Sequence, residues 1–222
     1  MKFKAILFDC DGVLVDSEPL TCQVLRDMLA EIGWNMSHAE CMAAFVGKTV
    51  REQSAQIEAH TGQPFSEDWL QDFYQRRNAA LRADLQAIPG AALAVAAAHR
   101  ATQGRIACAS GADRFKVEMV LSQVGLLDYF AGRVFSGHEM PRSKPAPDVY
   151  LAAAAHLTVP PAQCLVIEDT TVGVTAGVAA GATVWAYCPQ PYAGAALLQA
   201  GAKRCLTDMG QMPALLAAGD GL

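Results

Sequence analysis

Residues 5–20 read AILFDCDGVLVDSEPL. Four apolar residues, Ala5 to Phe8, run into two carboxylates, Asp9 and Asp11, then a glycine, Gly12, and a third carboxylate, Asp16. A short apolar run that stops at a polar, glycine-containing turn is the pattern of a strand buried on both faces. Working outward, the pattern recurs in RIACA before Ser110, RVF before Ser136, CLVI before Glu168, TVWAYC before Pro189 and RCL before Thr207. Between these runs, residues 91–103, 112–124, 147–156 and 171–180 carry helical periodicity. Strand alternating with helix predicts an α/β fold, a Rossmann-like parallel sheet with helices on both faces.

One interval breaks the alternation. Residues 16–86 contain no good strand but at least three amphipathic helices. The first carries Leu20, Val24, Leu25, Met28, Leu29 and Ile32 on one face before Gly33, and Asp16 or Ser17 suits its N-cap. The second opens on the capping box TVRE, Thr49 to Glu52, and ends near Gly62. Ser66 opens a third that includes Trp69, Leu70, Phe73 and Leu81, and IPGAA at 88–92 returns the chain to the sheet. The expected organisation is a core of residues 1–15 and 87–222 with an all-helical insert, a cap domain, at 16–86.

Composition narrows the function. The chain has 222 residues, 52% of them hydrophobic, ample for a buried core. Its net charge of −5 and its 17 scattered Lys and Arg make no basic field, so nucleic acid is not an expected partner. Seven cysteines, odd in number and without CxxC spacing, read as reduced core thiols. No apolar run approaches the length of a signal h-region or a membrane span, so a cytoplasmic protein without a membrane partner is expected, a monomer or weak homodimer. The five histidines share no ligand spacing and read as bystanders.

In an open parallel sheet, ligands bind beyond the carboxyl ends of the strands. Those ends here are Asp9 with Asp11, Ser110 with Gly111, and Glu168 with Asp169. Lys144, in the Pro-flanked loop RSKPAPD, leads into a helix on the same side. Crowded carboxylates repel and raise one another's pKa; a divalent cation relieves this, and an all-oxygen set suits Mg²⁺.

With these residues in place, the chain resembles the haloacid dehalogenase-like hydrolase superfamily over nearly its whole length. DCDGVLVDS is similar to that family's first motif, ACASGA to its second, SKPAPD to its third and IEDTTVGVTAGVAAG to its fourth, in order and spacing. The insert is similar to the family's small helical cap. The resemblance implies that Asp9 is a nucleophile that takes a phosphoryl group and Asp11 a general acid and base. It further implies that Ser110 and the adjacent backbone N–H groups, Gly111 among them, hold phosphoryl oxygens, and that Lys144 neutralises charge. Asp169, with Asp9 and the main-chain carbonyl of Asp11, would hold Mg²⁺. Glu168 is either a further ligand or a carboxylate that orients water.

The implied activity is hydrolysis of a small phosphorylated metabolite, such as a sugar phosphate or phosphorylated sugar acid. In the insert, FVGKTVRE at 45–52 places Gly47, Lys48 and Arg51 near a helix start, where they could read an anionic or polyhydroxylic leaving group. The alternatives are a phosphosugar mutase, a metal-independent dehalogenase and a non-catalytic binding protein. A mutase generally carries a histidine soon after DS, where this chain has EPLTC; dehalogenases usually lack the second aspartate, present here as Asp11; and a binding protein would be expected to have lost Asp9, Lys144 or Asp169.

Overall fold

The computed structural model describes residues 3–45, 48–190 and 194–218. Six parallel strands form one sheet in the order β3-β2-β1-β4-β5-β6. They are β1 (Ala5–Phe8), β2 (Ile106–Ser110), β3 (Val134–Ser136), β4 (Cys164–Glu168), β5 (Thr183–Tyr187) and β6 (Arg204–Leu206). Each grows from one of the apolar runs, and every residue of β1, β2 and β4 is buried, as strands covered on both faces require.

Side chains alternate across the sheet. Ala5 and Leu7 of β1, Ala107 and Ala109 of β2 and Val166 of β4 share a cluster with helices α7 (Asp148–His156), α8 (Thr171–Ala179) and α9 (Gly194–Gln199). Ile6 and Phe8 point the other way, where Phe8 meets Phe130 edge-on at 6.1 Å between ring centroids. Helices α5 (Ala91–Ala101) and α10 (Met212–Ala218) pack on each other, and α6 (Arg114–Gln123) lies against β3.

The chain leaves β1, builds β2 and β3 on one side, then crosses to β4 on the other. The strand order therefore reverses between β1 and β4, which opens a crevice at their carboxyl ends. Asp9 follows β1, Glu168 ends β4 and Asp169 follows it.

Two compact units divide the chain, one of Met1–Asp16 with Gln86–Leu222 and one of Ser17–Leu85. The second unit is all helical: α1 (Glu18–Glu31), α2 (His38–Phe45), α3 (Ser54–Thr61) and α4 (Glu67–Asp84). Leu25, Met28 and Leu29 of α1 join Cys41, Phe45, Ile57, Leu70 and Phe73 in its core. The capping box forms as read, with Thr49 N donating to Glu52 at 2.8 Å and Glu52 N to Thr49 Oγ1 at 3.2 Å. Ser66 caps α4 through Trp69 N at 3.1 Å.

Helix α2 is a further helix beyond the three that the sequence pattern outlines, its eight residues too few to display a clear stripe. One local expectation needs correction. Ser17 stands at the N-cap of α1, but its side chain makes no capping bond. Its backbone is helical rather than extended, and Pro19, at the second helical position, has no N–H to offer. Among the described residues all seven cysteines are free thiols, and no helix is long and apolar enough to cross a membrane.

Candidate active site

Asp9 is tied to the sheet through its own N–H, which donates to the Ile167 carbonyl at 2.9 Å, so its carboxylate projects where β1 ends. It is buried, at 7% exposure. Lys144 Nζ donates to Asp9 Oδ1 at 2.6 Å and to Glu168 Oε1 at 2.7 Å, joining the ends of β1 and β4. The ammonium also sits 4.7 Å from the centroid of the Tyr150 ring, and the Tyr150 hydroxyl donates to Glu168 Oε1 at 2.8 Å.

Glu168 is the most heavily used acceptor of the group. Its Oε2 accepts from the N–H groups of Asp169 at 3.0 Å and Thr170 at 3.2 Å and from the Thr170 hydroxyl at 3.1 Å. The same hydroxyl accepts from Gly173 N at 3.0 Å and so caps α8. Glu168 thereby fixes both the lysine beside Asp9 and the turn that carries Asp169. Gly173 makes room for it: a Cβ there would overlap the Glu168 carboxylate.

Charge is shared unevenly. Burial opposes ionisation of Glu168, but the Lys144 ammonium, the Tyr150 hydroxyl and the Thr170 amide outweigh it and hold this carboxyl below its ordinary range. Asp9 goes the other way: burial, with Glu168 and Asp11 nearby and only Lys144 opposing, pushes it up to about 7. Lys144 is held well above the usual lysine value, since Asp9 and Glu168 more than offset its own burial. Lys144 alone against Asp9, Glu168 and Asp169 leaves negative charge in excess.

Past Asp9 the chain turns tightly, with Leu14 N donating to Cys10 O at 2.8 Å and Gly12 N to Val15 O at 2.9 Å. Gly12 has φ of 76°, and a Cβ on it would overlap the Asp169 side chain, so both the turn and the approach of the β4 loop require glycine. Asp11 forms an ion pair with Lys116 of α6.

Ser110 ends β2, buried, its Oγ accepting from Ala112 N at 3.0 Å. A Cβ on Gly111 would meet nothing within 4 Å, so the chain there borders open space. In the helical unit, Lys48 Nζ donates to Ala44 O at 3.0 Å, and Arg51 forms a two-pronged pair with Glu67 at 2.5 and 2.7 Å. Gly47 lies outside the described residues. The core residues thus converge, whereas Lys48 and Arg51 are engaged by partners within their own unit.

The sequence reading passed over Lys116 and Tyr150. Lys116 occupies a position on the stripe that α6 buries through Val117, Val120 and Leu121, and a lysine where an apolar residue belongs is the signal that could have singled it out. Tyr150, between Val149 and Ala153 on the buried face of α7, looks like ordinary core until Glu168 is placed beside it.

Asp9, Glu168 and Asp169 each offer a carboxylate oxygen within 4.8 Å of one another. An all-carboxylate set with surplus negative charge fits a small hard divalent cation such as Mg²⁺. Five donors already converge on Glu168, so its carboxylate is committed to protein partners on both oxygens.

Comparison with known proteins gives the chain's family. The chain is 27% identical over 192 residues to the 6-phosphogluconate phosphatase of Escherichia coli K12, covering 86% of this chain and 85% of that protein. It is 33% identical over 181 residues to hexitol phosphatase B of the same organism, covering 79% of each. A crystal structure of a family hydrolase from Deinococcus radiodurans, with bound phosphate and sodium, superposes with a TM-score of 0.79 at 35% identity, covering 98% of this chain and 96% of that one. Residues 3–181 match the sequence model of the haloacid dehalogenase-like hydrolases, and the chain belongs to that family.

Proposed function

We propose that this chain is a Mg²⁺-dependent phosphatase that hydrolyses small phosphorylated sugars or sugar acids through a phosphoryl group carried on Asp9. The observation that carries the reading is the buried Asp9–Lys144–Glu168 constellation, with Asp169 at its edge and Asp11 two positions further along the chain. The relatives named for 6-phosphogluconate and hexitol phosphates support the substrate class.

In this reading an oxygen of Asp9 attacks phosphorus, the bond to the leaving oxygen breaks, and Asp11 supplies the proton that oxygen needs. Water then attacks the phosphorylated Asp9, Asp11 takes its proton, and inorganic phosphate leaves. Ser110 and the backbone at Gly111 hold phosphoryl oxygens on the open side of β2. Lys144 balances the charge that Asp9 and the phosphoryl group bring together. Glu168 keeps Lys144 and the Asp169 turn in place. A cation held by Asp9, Asp169 and the Asp11 carbonyl would supply positive charge to the transferring group.

The helical unit acts as a cap in this proposal, and Lys48 and Arg51 are its contacts to the leaving group. Arg51 would have to exchange Glu67 for substrate. The pair with Glu67 is exposed, so the exchange costs little.

The test is release of inorganic phosphate from a panel of sugar phosphates, phosphorylated sugar acids and p-nitrophenyl phosphate, with Mg²⁺ and with chelator. Phosphate release that chelator abolishes is the expected result. Isomerised sugar phosphate without phosphate release would mean mutase chemistry, and full activity in chelator would remove the metal from the reading.

A further inference from the structure

Lys116 has no place in the chemistry assigned so far, yet it is one of the most buried charges in the molecule, at 5% exposure. An ammonium taken out of water is costly unless an anion meets it, and here the anion is Asp11. The two residues are 105 positions apart, so the pairing is made by the fold and not by local sequence. The lysine's own backbone is fixed: Asp113 caps α6, its carboxylate accepting from Lys116 N at 2.8 Å. Asp11, by contrast, stands in a tight turn immediately before a glycine, and its side chain keeps some access to solvent.

We propose that Lys116 is a positioning residue for Asp11: its ammonium holds Asp11 Oδ1 and so aims the remaining oxygen at the leaving group. The proposal rests on the phosphatase reading above. Lys116 neither gives nor takes a proton. The proton of the first step moves from the other oxygen of Asp11 to the leaving oxygen as the P–O bond breaks; the proton of the second step moves from water to the same oxygen. A carboxylate free to rotate at Asp11 would spend most of its time misdirected, and misplacement by about 1 Å can lower a rate by about 100-fold.

Leaving groups separate this role from a merely structural one. A sugar alkoxide must be protonated as it departs, whereas p-nitrophenolate departs without a proton. In the Lys116→Met variant, kcat on a sugar phosphate should fall by about 10- to 100-fold, while the rate of the p-nitrophenolate burst that accompanies phosphorylation of Asp9 stays within about threefold of wild type. Steady-state turnover of the aryl ester should slow, because the second step also needs Asp11. Lys116→Arg, which keeps the charge, should recover part of the loss. Adding Lys116→Met to Asp11→Asn should cost nothing beyond Asp11→Asn alone.

Unchanged kcat on the sugar phosphate, equal losses in the sugar phosphate and aryl burst rates, or additive losses in the double variant would each overturn the proposal. If Lys116→Met does not fold, Lys116→Gln, which keeps a polar donor but is one atom shorter and uncharged, is judged by the same criteria. A wild-type enzyme that forms no phosphorylated Asp9 would sink the phosphatase reading and this proposal together; a normal wild type with an indifferent Lys116 variant would sink this one alone.

Discussion

At the scale of single residues, the site trades stability for chemistry, and Asp9 shows it. Its carboxyl titrates near 7 in the folded, metal-free protein against 3.8 for an ordinary aspartate, because burial disfavours the charged form. Below pH 4 the group is protonated folded or unfolded and costs nothing. Between pH 4 and 7 the unfolded chain ionises while the folded one holds its proton, so stability falls as pH rises, and above 7 the cost is constant. Asp9→Asn removes that cost. In chelator the variant should melt higher than wild type at pH 8, and the difference should vanish near pH 4; a lower melting temperature for Asp9→Asn at pH 8 would contradict the account. The same variant should retain less than about one hundredth of wild-type turnover, since an amide is a poor nucleophile. Tyr150→Phe is a milder change at the same site. It removes one donor from a buried carboxylate and should lower stability by about 1.5 to 3 kcal/mol, the worth of a hydrogen bond to a charged group. A melting temperature within 1 °C or so of wild type would show that Lys144 and the donors of Asp169 and Thr170 hold Glu168 without the Tyr150 hydroxyl.

At the scale of elements, the β4–α8 turn decides how closely carboxylates can be packed. Gly173 sits in the first turn of α8 where a Cβ would overlap Glu168, while Gly111, after β2, faces open space. Gly173→Ala should therefore destabilise by about 2 kcal/mol or more, a drop of about 4 to 8 °C, as Glu168 is forced from Lys144. Gly111→Ala should leave the melting temperature nearly unchanged, and its effect should be read in KM, where a methyl group crowds the phosphoryl oxygens. Equal thermal losses in the two variants would refute the difference. Much of this level was legible before any coordinates. The six strands could be read because each is a short apolar run, and the carboxyl-end residues followed from reading where those runs stop. Three features could not be read, each for a physical reason. Lys116 and Tyr150 take their meaning from Asp11 and Glu168, 105 and 18 positions away, and local periodicity carries no such information. Arg51 looked like a free cation because Glu67, 16 residues on, belongs to a different helix. Ser17 looked like a cap because residue type is visible in sequence while backbone dihedral is not.

At the scale of the whole molecule, each of the two units has a hydrophobic cluster of its own. The described hydrophobic clusters draw on one unit each: Leu25, Met28, Phe45 and Phe73 in the helical unit, Leu7, Val149, Val166 and Val184 in the core. Where the chain leaves the core and returns, Val15 and Ala87 form an antiparallel bridge, and Asp16 N donates to Gln86 O at 2.9 Å. Those two chain ends have the geometry of a hairpin that lacks its loop, and a two-residue Asn-Gly turn is the connection that closes antiparallel strands with the right twist. Replacing Ser17–Leu85 by Asn-Gly should therefore give a core that unfolds cooperatively and keeps Asp9, Asp11, Lys116, Lys144 and Asp169 in place. With Mg²⁺ it should still release p-nitrophenolate, because an activated aryl ester needs little beyond a nucleophile and charge balance. Its preference among sugar phosphates should collapse to within about threefold, since a core that holds only the phosphoryl end cannot distinguish one leaving sugar from another. A shortened chain that does not fold would show that the helical unit stabilises the core. One that folds and still ranks sugar phosphates as the full chain does would place the specificity determinants in the core and remove Lys48 and Arg51 from the proposed site.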